Sequence, residues 1–252
     1  MEEFDKYWEN ILNIARENII NNTKTEDQKK AFGQELLADI FFIKKKSIES
    51  NIKIIQDDFY DFLFREFKEI RDTFESLQNI VKYISYFPRT NSRLEKINYF
   101  KFLIITYTDE TYVLKERVVK FLKKFLRLYN KSNQYPEVKK VCSNMTKVVE
   151  KSLENIKDIR HMHVHAHRYS NEDIQRLEKI DYSLELLEDT KDVFPSRFMP
   201  NFISEFKEIR SKWKNVFIKN NKTIKEILNI IFKEINKIIF TEDGKLMYPE
   251  KL

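Results

Sequence analysis

Two glycines and five prolines in 252 residues constrain this chain more than any other feature. Tight hairpins ask for Gly, Asn-Gly or Asp-Gly where the backbone turns through positive φ, and a sheet protein needs many of them. With so few such positions the connections are few and the elements between them long. Hydrophobic residues make up 42% of the chain, enough for a substantial core, and the 34% that are charged suit long helices with solvated outer faces. The expectation is an all-α fold, an antiparallel bundle of long amphipathic helices.

Apolar residues recur at steps of three and four almost throughout. The first stripe, Phe4, Tyr7, Trp8, Ile11, Leu12, Ala15 and Ile19, predicts a helix from about residue 3 to residue 20. Thr25 with Gln28 is a capping-box signature ahead of Phe32, Leu36, Ile40 and Ile43. The pattern resumes at Ile52 and Ile55 and runs through Phe59, Leu63, Phe67, Ile70, Phe74, Leu77, Val81 and Ile84, until Pro88 stops it. Ser92 with Glu95 opens a helix whose seam is Phe100, Leu103, Tyr107, Thr111, Leu114, Val118, Phe121, Phe125 and Leu128. Pro136 suits the first turn of the next helix, whose seam runs from Val138 to Ile159. Ser170 with Asp173 predicts a cap for a helix bearing Ile174, Leu177, Leu184 and Leu187. Beyond Pro195 and Pro200, Phe202 to Val216 defines another helix, and Thr223 with Glu226 predicts the start of a separate last one, closed by Thr241 to Gly244. No repeat, Gly/Ser linker or low-complexity tract divides these pieces, so residues 1–252 read as a single helical domain.

The formal charge of +6 leans towards an acidic partner such as nucleic acid. A lone cysteine, Cys142, excludes an internal disulfide and fits a reducing compartment as a buried apolar filler. No basic leader precedes an apolar run, and lysines interrupt even the most apolar segment, so the expected setting is cytoplasmic, with no membrane contact.

All four histidines fall at alternate positions from 161 to 167, in Arg160-His161-Met162-His163-Val164-His165-Ala166-His167-Arg168. One reading is a polar connector whose rings cap helix ends or meet solvent. A second is a metal site: His161 with His165, or His163 with His167, would chelate across one helical turn, although no Asp, Glu or Cys falls in the cluster. A third joins imidazole, which exchanges a proton near neutral pH, to guanidinium, a permanent cation whose fork matches phosphate oxygens. Arg160 and His165 would stand about 140° apart on an unbroken helix, so for both to reach one substrate the helix must end near Arg160 or two chains must contribute. Upstream, Tyr107-Thr108-Asp109-Glu110-Thr111 interrupts an apolar seam. Glu110 falls about 60° from that seam and Asp109 roughly opposite to it, so Glu110 is the better placed to look inward. Its simplest use is an ion pair with Arg117.

The spacing of Arg160 and His165 matches the Arg-x-x-x-x-His motif of the HEPN (higher eukaryotes and prokaryotes nucleotide-binding) family. The context resembles that family too: an upstream helix with a polar interruption, a long amphipathic helix leading into the motif, and a capped helix after it. The resemblance covers a core of about residues 92–240, leaving residues 1–88 as a helical extension. It implies metal-independent cleavage of RNA with no cofactor, Arg160 and His165 being catalytic and Glu110, or else Asp109, orienting one of them. It further implies a homodimer whose two motifs line one cleft, with His161, His163, His167, Arg168 and Lys157 binding RNA and Tyr169 stacking on a base. A toxin or phage-defence role, with a cognate antitoxin or nucleotidyltransferase-type partner, follows from the same resemblance. Many members carry Asn after the motif arginine where this chain has His161, which leaves an RNA-, nucleotide- or protein-binding module without cleavage as the alternative.

Overall fold

A computed structural model describes residues 2–22, 25–27, 29–30, 58–86, 90–153, 171–188 and 201–249. Among these residues the chain is all-α, as its lack of turn residues predicts. The helices are α1 (Glu3–Asn22), α2 (Asp58–Ser85), α3 (Arg93–Leu128), α4 (Tyr135–Ser152), α5 (Glu172–Glu188) and α6 (Phe202–Ile239). An antiparallel bridge joins Phe240 to Leu246. None of these helices is long and apolar enough to cross a membrane. The expected elements around Thr25 to Ile55, including the Thr25/Gln28 box and the stripe from Phe32 to Ile43, fall largely outside the described residues, as does Pro88.

Two compact units emerge, one made of Met1–Lys68, Lys124–Cys142 and Leu228–Leu252, the other of Glu69–Lys123 and Ser143–Ile227. In the first, α1 runs antiparallel to the start of α2. The Tyr7 hydroxyl donates to the Leu63 carbonyl at 3.3 Å and the Tyr60 hydroxyl to the Ile11 carbonyl at 2.9 Å. Phe67, fully buried, lies at the centre, stacked on Tyr7 with ring centroids 4.4 Å apart and edge-on to Phe232 at 4.9 Å. Aromatic pairs in these geometries add about 0.5–1.5 kcal/mol each beyond the area they bury. Cys142 is buried as expected, and burial pushes its thiol up to about 11.

α1 begins without a Ser, Thr, Asp or Asn to cap it, and its cap comes from the other end of the chain. Asn229 on α6 accepts a hydrogen bond from the Phe4 amide at 3.1 Å, one of the amides that a helix start leaves without an intrahelical partner. Asn236, about two turns further along α6, donates to the Glu3 carbonyl at 3.0 Å and to its carboxylate at 2.9 Å. After α6 the chain reverses through a turn in which Gly244 takes a φ of +82°, a left-handed conformation that suits a residue without Cβ.

In the second unit α5 lies antiparallel to both α3 and α6. Arg93 pairs with Asp181 at 2.5 Å and Lys101 with Glu178 at 3.0 Å. Asp173 takes Lys212 at 2.8 Å and the Trp213 indole N–H at 2.9 Å, while Arg176 meets Glu205 at 2.8 Å. α3 and α6 run parallel, with Phe100 against Phe206 and Tyr107 stacked on Phe217 at 4.0 Å.

One expected boundary is absent. Thr223 and Glu226 start no new helix, and α6 continues through them without a break. No Gly or Pro interrupts residues 202–239, and Asn221, whose polarity suggests a connector, points inward and is buried by its partners. The true N-cap of α6 is Asn201, whose side chain accepts from the Ser204 amide at 3.1 Å. Substitution separates the two kinds of position. Asn201→Ala is expected to cost about 1 kcal/mol in urea unfolding, whereas Thr223→Ala should be neutral or slightly stabilising, because alanine is the better residue in a helix interior. A loss of about 1 kcal/mol at Thr223 would mean that a helix starts there.

Candidate functional site

The stretch with the arginine and histidine candidates, Lys157, Arg160, His161, His163, His165, His167, Arg168 and Tyr169, lies outside the described residues. Its two flanks and the carboxylate turn of α3 are described, and all three belong to the second unit.

On the near side α4 ends at Ser152, and the next residue, Leu153, is buried with its amide donating to the Val149 carbonyl at 3.1 Å. On the far side α5 is capped by Asn171, whose side-chain oxygen accepts from the Ile174 amide at 2.8 Å. The cap is thus Asn171, one residue after the expected Ser170, and the Asp173 carboxylate is turned to Lys212 and Trp213. Ile174 and Leu177 are fully buried beneath this first part of α5. The described chain thus stops at buried Leu153 and resumes at Asn171, the cap of α5.

The carboxylate turn is built from the Tyr107 ring outward. Tyr107 is buried, and its hydroxyl donates to the Asn221 side-chain oxygen at 2.8 Å. The Asn221 amide in turn donates to the Leu77 carbonyl at 3.2 Å, so α2, α3 and α6 meet at this level. Burial pushes the Tyr107 phenol well above its ordinary value and keeps it a neutral donor. Around it, Thr106, Thr108 and Thr111 each donate to the carbonyl four residues back, at 2.8, 3.0 and 2.7 Å. Those hydroxyls are satisfied within the helix, so the acceptors that distinguish this turn are the carboxylates of Asp109 and Glu110.

Both carboxylates are half-buried. For Glu110 this agrees with a place at the seam's edge. Asp109 is more covered than its direction on the helix suggests, since Phe102, Glu116 and Lys120 on that same side are exposed. The simple use of Glu110 as the partner of Arg117 is not what the structure contains. Arg117 turns to α2, where it pairs with the Glu69 carboxylate at 2.7 Å, donates to the Glu69 carbonyl at 3.0 Å and also donates to the Thr73 hydroxyl. Among the described residues Glu110 makes no ion pair. A carboxylate half-screened from water acts on a neighbouring imidazole or guanidinium more strongly than one in bulk solvent.

Among the described residues no group of three or more His, Cys, Asp or Glu could hold a metal ion. An open cleft of about 340 Å³ follows one face of α5, lined by Glu172, Gln175, Arg176, Lys179, Ile180 and Ser183, and its mixed charges mark no particular ligand. No protein-family model, curated protein or solved structure matches the chain.

The division of labour at Arg117 is open to a double-mutant cycle. Glu69→Gln with Arg117→Ala should show a coupling of about 0.2–1 kcal/mol in equilibrium unfolding, the range of exposed and half-exposed pairs. Glu110→Gln with Arg117→Ala should show none. The reverse pattern would assign Glu110 to Arg117 and remove it from any site.

Proposed function

We propose that the chain is a HEPN-like endoribonuclease, acting in the cytoplasm, that cuts RNA without a metal through Arg160 and His165. The observation that carries this reading is the spacing of that pair within a cluster of four histidines and two arginines, in the stretch between α4 and the capped start of α5. Imidazole suits proton transfer near neutral pH, and guanidinium suits a phosphate whose oxygens gain charge. Half-buried and without an ion pair among the described residues, Glu110 supplies the third kind of group that such a pair needs.

In the reaction the ribose 2′-hydroxyl attacks the adjacent phosphorus and loses its proton. The new O2′–P bond forms as the P–O5′ bond breaks, and the departing 5′-oxygen takes a proton. His165 carries a proton on one side of this exchange, and Arg160 holds the non-bridging oxygens. Glu110, or Asp109 beside it, orients His165 and favours its protonated form. A second copy about a two-fold axis brings another Arg160 and His165 to the same cleft, which answers the wide angle between them on a single helix. His161, His163, His167, Arg168 and Lys157 extend the cationic lining, and Tyr169 offers a ring for a base. A toxin or phage-defence setting, with an antitoxin or nucleotidyltransferase partner, fits such an activity.

A second reading, RNA, nucleotide or protein binding without cleavage, is favoured by His161 at the position after the motif arginine. Purified protein incubated with single-stranded RNA in EDTA decides among these readings. Cleavage is expected, with Arg160→Ala and His165→Ala each lowering the rate by at least about 100-fold while the helical circular dichroism and Tm stay unchanged. Full activity in both variants overturns the proposal, binding without cutting supports the second reading, and stoichiometric zinc or nickel with function lost on chelation would make the histidines metal ligands.

A further inference from the structure

Basic and acidic residues nearly balance over the whole chain, 46 against 40, but not along the second-unit part of α6. From Arg210 to Lys225 every charged residue is basic: Arg210, Lys212, Lys214, Lys219, Lys222 and Lys225. Glu208 and Glu226 mark the two limits of this run.

At about 100° per residue, Lys212, Asn215, Lys219 and Lys222 form a stripe on the side of α6 away from buried Phe217 and Ile224. All four are exposed. Lys212 is held by Asp173, but among the described residues Lys219 and Lys222 make no ion pair. Arg71 with Glu75 at 2.9 Å and Lys237 with Glu234 at 2.7 Å show the alternative, a helical cation paired with a carboxylate three or four residues away. Lys219 and Lys222, three residues apart, repel each other instead. Like charges at this spacing cost helix stability unless an anion bridges them.

We infer that this stripe is a docking track for the phosphate backbone of a single-stranded nucleic acid. With the function proposed above, on which the choice of RNA rests, it is where the substrate strand is held outside the cleavage site. Charge and shape favour this occupant. The stripe from Lys212 to Lys222 spans about 15 Å, room for a few consecutive phosphates. Lysine is a point charge without the fork that fixes one orientation, as suits contacts that hold a strand without reading its bases. A lipid surface fits less well, because an interfacial helix needs its apolar face free and that of α6 is committed to the core through Phe206, Ile209, Phe217 and Ile224.

The test uses the full chain and a single-stranded RNA made uncleavable by 2′-O-methylation, titrated in EDTA by fluorescence anisotropy between 50 and 200 mM salt. Lys219→Gln/Lys222→Gln is expected to bind about tenfold more weakly at the lower salt. It should also flatten the slope of log K against log salt by about 1.4, the value for two lost phosphate contacts on a single strand. Lys139→Gln/Lys140→Gln on α4 removes the same charge and should change both quantities much less. Equal losses in the two variants, unchanged affinity in the first, or no RNA binding by the parent chain overturns the inference. So does a parent chain that prefers phosphatidylcholine/phosphatidylserine vesicles and loses them, but not RNA, on substitution of Lys219 and Lys222. Because the probe cannot be cut, a chain without nuclease activity still gives the expected result, and the two proposals fail separately.

Discussion

The second unit depends on one buried polar junction, the hydrogen bond from Tyr107 to Asn221 completed by the Asn221 amide on the Leu77 carbonyl. Apolar packing alone lets helices slide by a turn at small cost, since one Leu or Ile replaces another. A buried amide does not allow this. Shifted by one turn, Asn221 would lose both partners and leave polar atoms unsatisfied in the interior, at about 1–3 kcal/mol for each group. Tyr107, kept neutral by its burial, and Asn221 therefore set the level at which α2, α3 and α6 meet. Asp109 and Glu110 follow Tyr107 by two and three residues, on the next turn of α3.

How far the fold was legible in the sequence depended on whether a signal was local. The helical seams were, because burial repeats every three or four residues and no Gly or Pro breaks the long runs. Ser92 was legible as a cap, and its hydroxyl does accept from the Glu95 amide at 3.2 Å. Signals with distant partners were not. Asn229 caps α1 from more than two hundred residues away, Arg117 prefers Glu69 on another helix to Glu110 on its own, and Asn221 resembles a connector until Tyr107 is seen against it. The Thr223/Glu226 pattern misled for the same reason: a capping box describes what two side chains are able to do, and the packed face on either side of them keeps the helix unbroken.

The candidate site divides along the same line. The groups proposed to react, Arg160 and His165, are evident in the sequence because the chain places all its histidines together. What the fold adds is Leu153 buried before this stretch, Asn171 capping α5 after it and, on α3, a carboxylate turn whose hydroxyls are satisfied and whose seam-edge arginine, Arg117, pairs with Glu69. The basic run of α6 escaped the sequence reading because lysines are common throughout the chain. Its significance lies in the absence of acids between Glu208 and Glu226.

The central claim is that Glu110 and His165 belong to one site, and the most direct measurement is the protonation of each histidine by side-chain NMR titration. A carboxylate beside an imidazole favours the charged form, so His165 should titrate above the ordinary value of about 6.5 and fall back towards it in Glu110→Gln, the other three histidines moving less. Four histidines titrating together at the ordinary value, indifferent to Glu110→Gln, would contradict it.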